Sequence, residues 1–276
     1  VVLAGTVATT AAVSASCRGG NVGAPGSTTE DGPATGERFR YGEDPSQWAD
    51  LVRPAGPSLG VVVVIHGGFW KAQYDASLGV PLARDLAERG WTAWNLEYRR
   101  VGNGGGRPQT FDDVAAGIDL LAEVDGLDLR TVLTLGHSAG GHLAAWAAAR
   151  GRYERWPEVV PVTGVVSQAG VLDLSAGAEA GLGAGAVESF VGGPPGPSYD
   201  EVDPLRQVPL DVPLRCVHGR EDDVVPLTQS TTYVERARAA GADAELLEVP
   251  GDHFVLLDTG SQVWDATVDL LAGLAR

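Results

Sequence analysis

From about Glu37 onward, short continuous apolar runs trade places with longer stretches in which apolar residues recur every three or four positions. The run "GVVVVIHGG" is continuously β-branched before its glycines, the pattern of a strand buried on both faces, and "WTAWNLEYR", "TVLTLG", "VTGVVSQAG", "LRCVHG" and "AELLEVP" read as further strands. "RFRYG" and "WADLVRP" add two short strands before them. Between the runs, "YDASLGVPLARDLAERG" has helical spacing and a glycine stop at Gly90. "TFDDVAAGIDLLAEV" predicts a helix with Thr110 as N-cap and acids in its first turn. "AGGHLAAWAAAR", "LTQSTTYVERARAAG" and "SQVWDATVDLLAGLA" complete the helices. Such alternation predicts an α/β, three-layer αβα sandwich around a mostly parallel sheet of about eight strands. One segment, about 171–209, breaks the alternation. Its composition, "SAGAEAGLGAGAVESFVGGPPGPSYDEVDP", suits a small cap over the site, or else a surface insertion without order.

The chain has 276 residues, 44% of them apolar, with no internal repeat and no mid-chain linker, so one domain with a full core is expected over 37–276. A net charge of −16 with a single lysine, Lys71, excludes a nucleic-acid partner, which would require clustered cations. Residues 1–36 read differently. "VVLAGTVATTAAVSAS" resembles the apolar region of a signal peptide. "VSASC" resembles a lipoprotein cleavage box with Cys17 as the lipid-bearing residue, and a Gly/Pro/Ser/Thr-rich tether follows. Export, with a membrane tether through Cys17, is the expectation; taken instead as an Ala-rich extension, the same stretch leaves the protein cytoplasmic. A disulfide between Cys17 and Cys216 is not expected.

In a sheet of this kind, function collects just beyond the carboxyl ends of the strands. Four polar clusters fall there: His66-Gly67-Gly68-Phe69-Trp70, Gly136-His137-Ser138-Ala139-Gly140, His218 to Asp223, and Gly251-Asp252-His253-Phe254. Together they hold the parts of nucleophilic acyl transfer. A serine hydroxyl needs an imidazole to take its proton and a carboxylate to orient that imidazole. "GHSAG" matches G-x-S-x-G, a sharp strand-to-helix turn that exposes Ser138, and the order is serine, then acid, then histidine. Ser138 is the nucleophile and His253 the base in this reading. For the acid, Asp222 competes with Asp223, Glu221 and Asp173.

"HGGFW", "GHSAGGH", "EYRR" and "HGREDDVVP" as a set resemble the α/β-hydrolase superfamily, in its esterase and kynurenine-formamidase-like branch. The resemblance runs from about Arg38 to the C-terminus. It implies the α/β-hydrolase fold, assigns Asp222 as the acid, and needs no cofactor. Backbone N–H groups suit an oxyanion, so Gly68 or Phe69 together with Ala139 are the expected oxyanion donors. Phe69 and Trp70 are expected to line the substrate pocket. His66, His137, His142 and His218 are expected to make structural hydrogen bonds; His137 and His142 are five apart, not the i, i+4 spacing of a zinc helix, so no metal is expected. The "VGNGGGRP" glycines read as a flexible loop. The function expected is hydrolysis of a carboxylic ester or similar acyl bond of a small molecule. An arylformamidase acting on N-formylkynurenine and a non-catalytic binding module on the same fold are the alternatives.

Overall fold

A computed structural model of the protein describes residues 36–275, which belong to one compact unit. The signal-like stretch, Cys17 and nearly all of the tether lie outside the described residues. One sheet carries eight strands: β1 (Glu37–Arg40), β2 (Trp48–Val52), β3 (Val61–Ile65), β4 (Thr92–Leu96), β5 (Val132–His137), β6 (Gly164–Gln168), β7 (Leu214–Gly219) and β8 (Ala244–Val249). Their order is β1-β2-β4-β3-β5-β6-β7-β8. β1 pairs antiparallel with β2 and β2 with β4, while β3 through β8 all run parallel. The expected three-layer architecture and its strand count are therefore found.

The period-two geometry of a strand explains the unbroken apolar runs. Val61, Val63 and Ile65 point into one layer of core, and Val62 and Val64 into the other. The first layer is closed by α2 (Gln109–Asp119), α3 (Ala139–Ala147) and α6 (Thr228–Ala239), through Phe111, Ile118, Leu143, Trp146 and Tyr233. The second is closed by α1 (Val80–Glu88) and α7 (Gln262–Leu274), through Leu82, Leu86, Trp264 and Leu271. All five residues of β3 are buried. At about 1.5–3 kcal/mol for each fully buried aliphatic side chain, the central strands fasten the two layers together. Among the described residues no helix is long and apolar enough to cross a membrane.

The 171–209 segment is an ordered layer, built from α4 (Leu174–Glu179), α5 (Leu182–Val191) and short 3-10 turns at Pro197–Tyr199 and Pro204–Gln207. Asp203 holds its two ends together by accepting from the N–H groups of Leu174 (3.0 Å) and Ser175 (3.1 Å). Val187, Phe190, Tyr199 and Val202 are buried in the α2/α3 layer, so apolar anchors between the glycines fix the segment.

Two local expectations are corrected. Thr110 is not an N-cap: α2 starts at Gln109 after Pro108. The Thr110 hydroxyl instead donates to the Arg99 carbonyl (2.6 Å) and accepts from Gly106 N–H (3.0 Å), partners outside the helix. The glycine loop over 101–108 is stitched rather than loose. Asn103 accepts from Arg100 N–H, Gly105 N–H donates to the Arg100 carbonyl, and Arg107 N–H donates to the Phe190 carbonyl.

Candidate active site

β5 delivers Ser138 to the carboxyl edge of the sheet and α3 starts at the next residue. Between them the backbone turns through φ 56°, ψ −120° at Ser138, a conformation that an L-residue adopts only under strain. The flanking glycines make that turn possible. A side chain at Gly136 would collide with the Gly140 carbonyl, and one at Gly140 with the Ile65 carbonyl. Ser138 N–H donates to the Gln168 carbonyl at 2.8 Å, which ties the turn to β6. Phe69, Trp70 and Ala169 also have positive φ, and they too lie beyond the ends of β3 and β6. Strained L-residues thus gather along the sheet edge where Ser138 sits.

Asp222 and His253 come from the loops after β7 and β8. His253 Nδ1 lies 2.7 Å from Asp222 Oδ2. An ionised carboxylate only accepts, so Nδ1 carries the proton and Nε2 keeps its lone pair. The Asp222 side chain is fully buried. Its Oδ1 accepts from Val224 N–H (2.9 Å) and Val225 N–H (2.8 Å), and its Oδ2 also faces His218 Nε2 at 3.2 Å. Burial alone would raise its pKa. The hydrogen bonds from His218, His253 and Val225 N–H together outweigh burial and hold Asp222 well below the usual carboxylate range. The rival acids are engaged elsewhere or exposed. Glu221 accepts from Gly251 N–H, Asp173 caps α4 through Ala176 N–H, and Asp223 is exposed.

Among the described residues no hydrogen bond joins Ser138 Oγ to His253 Nε2. The two are linked through His137, whose ring lies 4.4 Å from the His253 ring and whose Nε2 donates to the His253 carbonyl at 2.8 Å. His137 therefore fixes the His253 loop, a task that sequence could assign only as generic support. Burial pushes His137 down to about 3 and His142 down to about 4, so both stay neutral. His142 accepts from the Trp70 indole N–H (3.2 Å) and donates to the Val202 carbonyl (2.8 Å), joining the β3 loop, α3 and the inserted layer.

The β3 loop lies directly against the elbow, with a Cβ at Gly67 falling 3.1 Å from Ser138 Cβ. The N–H groups of Gly68 and Phe69 carry no hydrogen bond among the described residues. Ala139, as the first residue of α3, has an N–H with no partner inside the helix. The expected oxyanion donors are thus all free to receive an anion.

The two aromatic residues of "HGGFW" separate. Trp70 is corrected from pocket lining to core: it is fully buried and stacked on Phe190 at 4.5 Å, because the inserted layer covers it. Phe69 is half-buried, touching the inserted layer at Gly183 and lying 5.7 Å from the Lys71 ammonium. Trp70→Ala is expected to cost about 3–5 kcal/mol of stability. Phe69→Ala should leave the melting transition nearly unchanged and raise KM. Thermal denaturation and Michaelis kinetics on both variants check this, and the reverse ranking refutes the assignment.

The chain and its fold have known relatives. The family described as BD-FAE matches residues 50–236. Esterase LipC of Mycobacterium tuberculosis is 29% identical over 245 residues, covering 80% of this chain and 60% of LipC. A probable isoprenylcysteine alpha-carbonyl methylesterase of Oryza sativa subsp. japonica is 27% identical over 233 residues, covering 76% of this chain and 56% of the rice protein. The chain thus spans somewhat more than half the length of these relatives. A solved structure, a truncated carbohydrate esterase from gut microbiota, superposes with a TM-score of 0.72 at 22% identity, covering 88% of this chain and 99% of that one. These relatives are named as esterases, and the kynurenine-formamidase side of the resemblance gains no support from them. The chain belongs to the BD-FAE family, in the esterase branch of the α/β-hydrolase superfamily.

Proposed function

We propose that this protein hydrolyses a small-molecule carboxylic ester through a Ser138–His253–Asp222 triad and an acyl-enzyme intermediate. The observation that carries the reading is the His253–Asp222 hydrogen bond, which leaves His253 Nε2 unprotonated on a loop pinned to the residue before Ser138. The esterase names of the relatives support the same reaction.

Ser138 Oγ attacks the ester carbonyl carbon as His253 Nε2 takes its proton. The carbonyl oxygen becomes an oxyanion held by Ala139 N–H and by Gly68 or Phe69 N–H. Asp222 stabilises the imidazolium that forms. As the intermediate collapses, His253 gives the proton to the leaving alkoxide and an acyl group remains on Ser138. Water, deprotonated by His253, then attacks the acyl carbon; the bond to Ser138 Oγ breaks as His253 returns the proton to that oxygen, and the acid is freed. Both donors are preset by backbone geometry, so little reorganisation accompanies charge development.

A fluorophosphonate probe should label the folded protein once per chain, and peptide mass spectrometry should place the adduct on Ser138. Short-chain p-nitrophenyl esters should be turned over in parallel. A folded protein that takes up no probe, or takes it up at another residue, overturns the reading.

A further inference from the structure

The "EYRR" element has so far had no part in the chemistry. β3 and β4 are parallel neighbours in a register that pairs Ile65 with Leu96, so the residues that follow, His66 and Glu97, leave the sheet side by side. Three of the four "EYRR" residues converge on His66. The Tyr98 hydroxyl donates to the His66 carbonyl at 2.7 Å, and the Tyr98 ring stacks on the imidazole at 4.4 Å with 14° between planes. Arg100 Nη1 lies 3.1 Å from His66 Nε2 and also pairs with Glu97 Oε1. Glu97 Oε2 accepts from Ala76 N–H at 2.6 Å. All four side chains are buried.

We propose that this buried Glu97–Arg100–His66 chain, with Tyr98, is a positioning device for the oxyanion loop that sets the direction of Gly68 N–H. The inference rests on the ester-hydrolase reading above. Arginine has only donors, so His66 Nε2 must accept and the imidazole proton must sit on Nδ1. Nδ1 then donates to the Gly67 carbonyl at 2.8 Å. The peptide between Gly67 and Gly68 is planar and trans, so Gly68 N–H points opposite to that carbonyl, away from the His66 ring. Rotating His66, or moving its proton to Nε2, would release the Gly67 carbonyl and let the peptide turn.

Burial pushes His66 down to about 3, aided by the Arg100 charge, so the ring stays neutral and Nε2 stays an acceptor. A buried arginine and glutamate are costly unless each is paired, and an apolar pair would fill the same space. The charged chain adds a fixed tautomer at His66, which an apolar pair does not provide. It ends on the Gly67–Gly68 peptide, which lies against Ser138 and whose N–H carries no hydrogen bond among the described residues.

A positioning residue for the oxyanion acts on the transition state, so its loss should lower kcat and leave KM unchanged. Burial pushes Glu97 up to about 7, so kinetics belong at alkaline pH, where the carboxylate is charged. Arg100→Met keeps the bulk and removes the donors, and Glu97→Gln keeps the shape and removes the charge. Both should lower kcat on a short-chain p-nitrophenyl ester, Arg100→Met by about tenfold to 100-fold. That is less than the roughly 10²- to 10³-fold cost of deleting an oxyanion donor outright. Affinity for a trifluoromethyl ketone with the same acyl chain should fall by a matching factor, and Arg100→Lys should recover part of both losses. A purely structural role would lower the melting temperature without separating kcat from KM. If Arg100→Met does not fold, the isosteric Glu97→Gln decides alone. Folded variants with kcat within about twofold of wild type, or with losses only in KM, overturn the proposal. Wild-type protein that is not labelled at Ser138 would instead overturn the ester-hydrolase reading beneath it.

Discussion

Ser138→Ala is expected to lower kcat on a short-chain ester by about 10⁵- to 10⁶-fold while the protein still folds. The two halves of that expectation have separate grounds. In the proposed reaction the hydroxyl is the atom that forms the new bond. Its loss leaves only the binding and oxyanion contributions, which are small beside the whole. Folding should survive because the Ser138 hydroxyl makes no hydrogen bond among the described residues, and what anchors the turn is its backbone N–H on the Gln168 carbonyl. The positive φ at Ser138 strains any residue with a Cβ, so alanine carries the same strain as serine. Initial rates over a wide enzyme concentration range, with a thermal melt on the same sample, check both halves. A folded variant retaining a tenth of the wild-type rate would show that the nucleophile lies elsewhere.

Strand count, the parallel sheet and the elbow were legible in the sequence for one reason. Each depends on residues close together in the chain. β3 reads as buried because every one of its side chains is apolar, and Gly136 and Gly140 read as an elbow because they bracket one serine. Thr110 looked like a cap on equally local grounds, but its hydroxyl found Arg99 and Gly106 across a turn that local pattern does not encode. Trp70 sits beside Phe69 in the chain, and only the inserted layer, through Phe190, turns the one into core and leaves the other half-exposed. His137 was legible as support and not as the anchor of the base loop, because the carbonyl it holds is 116 positions away. Geometry likewise separated Asp222 from its two acidic neighbours. Glu221 and Asp223 differ from it in chemistry very little, and in direction completely.

These long-range contacts share a purpose. Each neutral histidine around the candidate site ties a loop at the sheet edge to a segment distant from it in the chain. His66 links the Gly67 carbonyl to Arg100, His137 holds the His253 carbonyl, and His142 joins Trp70 to Val202. Their burial keeps them uncharged and so keeps each tautomer fixed. Among the described residues, the histidine left with an available Nε2 is His253, whose Nδ1 is paired with Asp222.

Asp222→Asn should follow from that pairing with a loss of about 10⁴-fold in kcat, at a small cost in stability. Oδ1 accepts from two backbone N–H groups, those of Val224 and Val225. An asparagine amide must therefore keep its oxygen at that position, because an NH2 there would face two donors. The NH2 is then forced into the place of Oδ2, where it meets His253 Nδ1 and His218 Nε2. His253 can satisfy it only by turning Nδ1 into an acceptor, which moves the ring proton to Nε2. In the proposed mechanism that atom receives the proton of Ser138, so the base would be blocked by a change that preserves shape and most hydrogen bonds. The side chain stays the same size and both backbone donors stay satisfied, so the melting temperature should fall only slightly. KM should change little, since no substrate contact is removed. Steady-state kinetics with a calorimetric melt check the pair of outcomes. A rate within tenfold of wild type would mean that Asp222 does not orient the base, and that the His253 tautomer is set by another group.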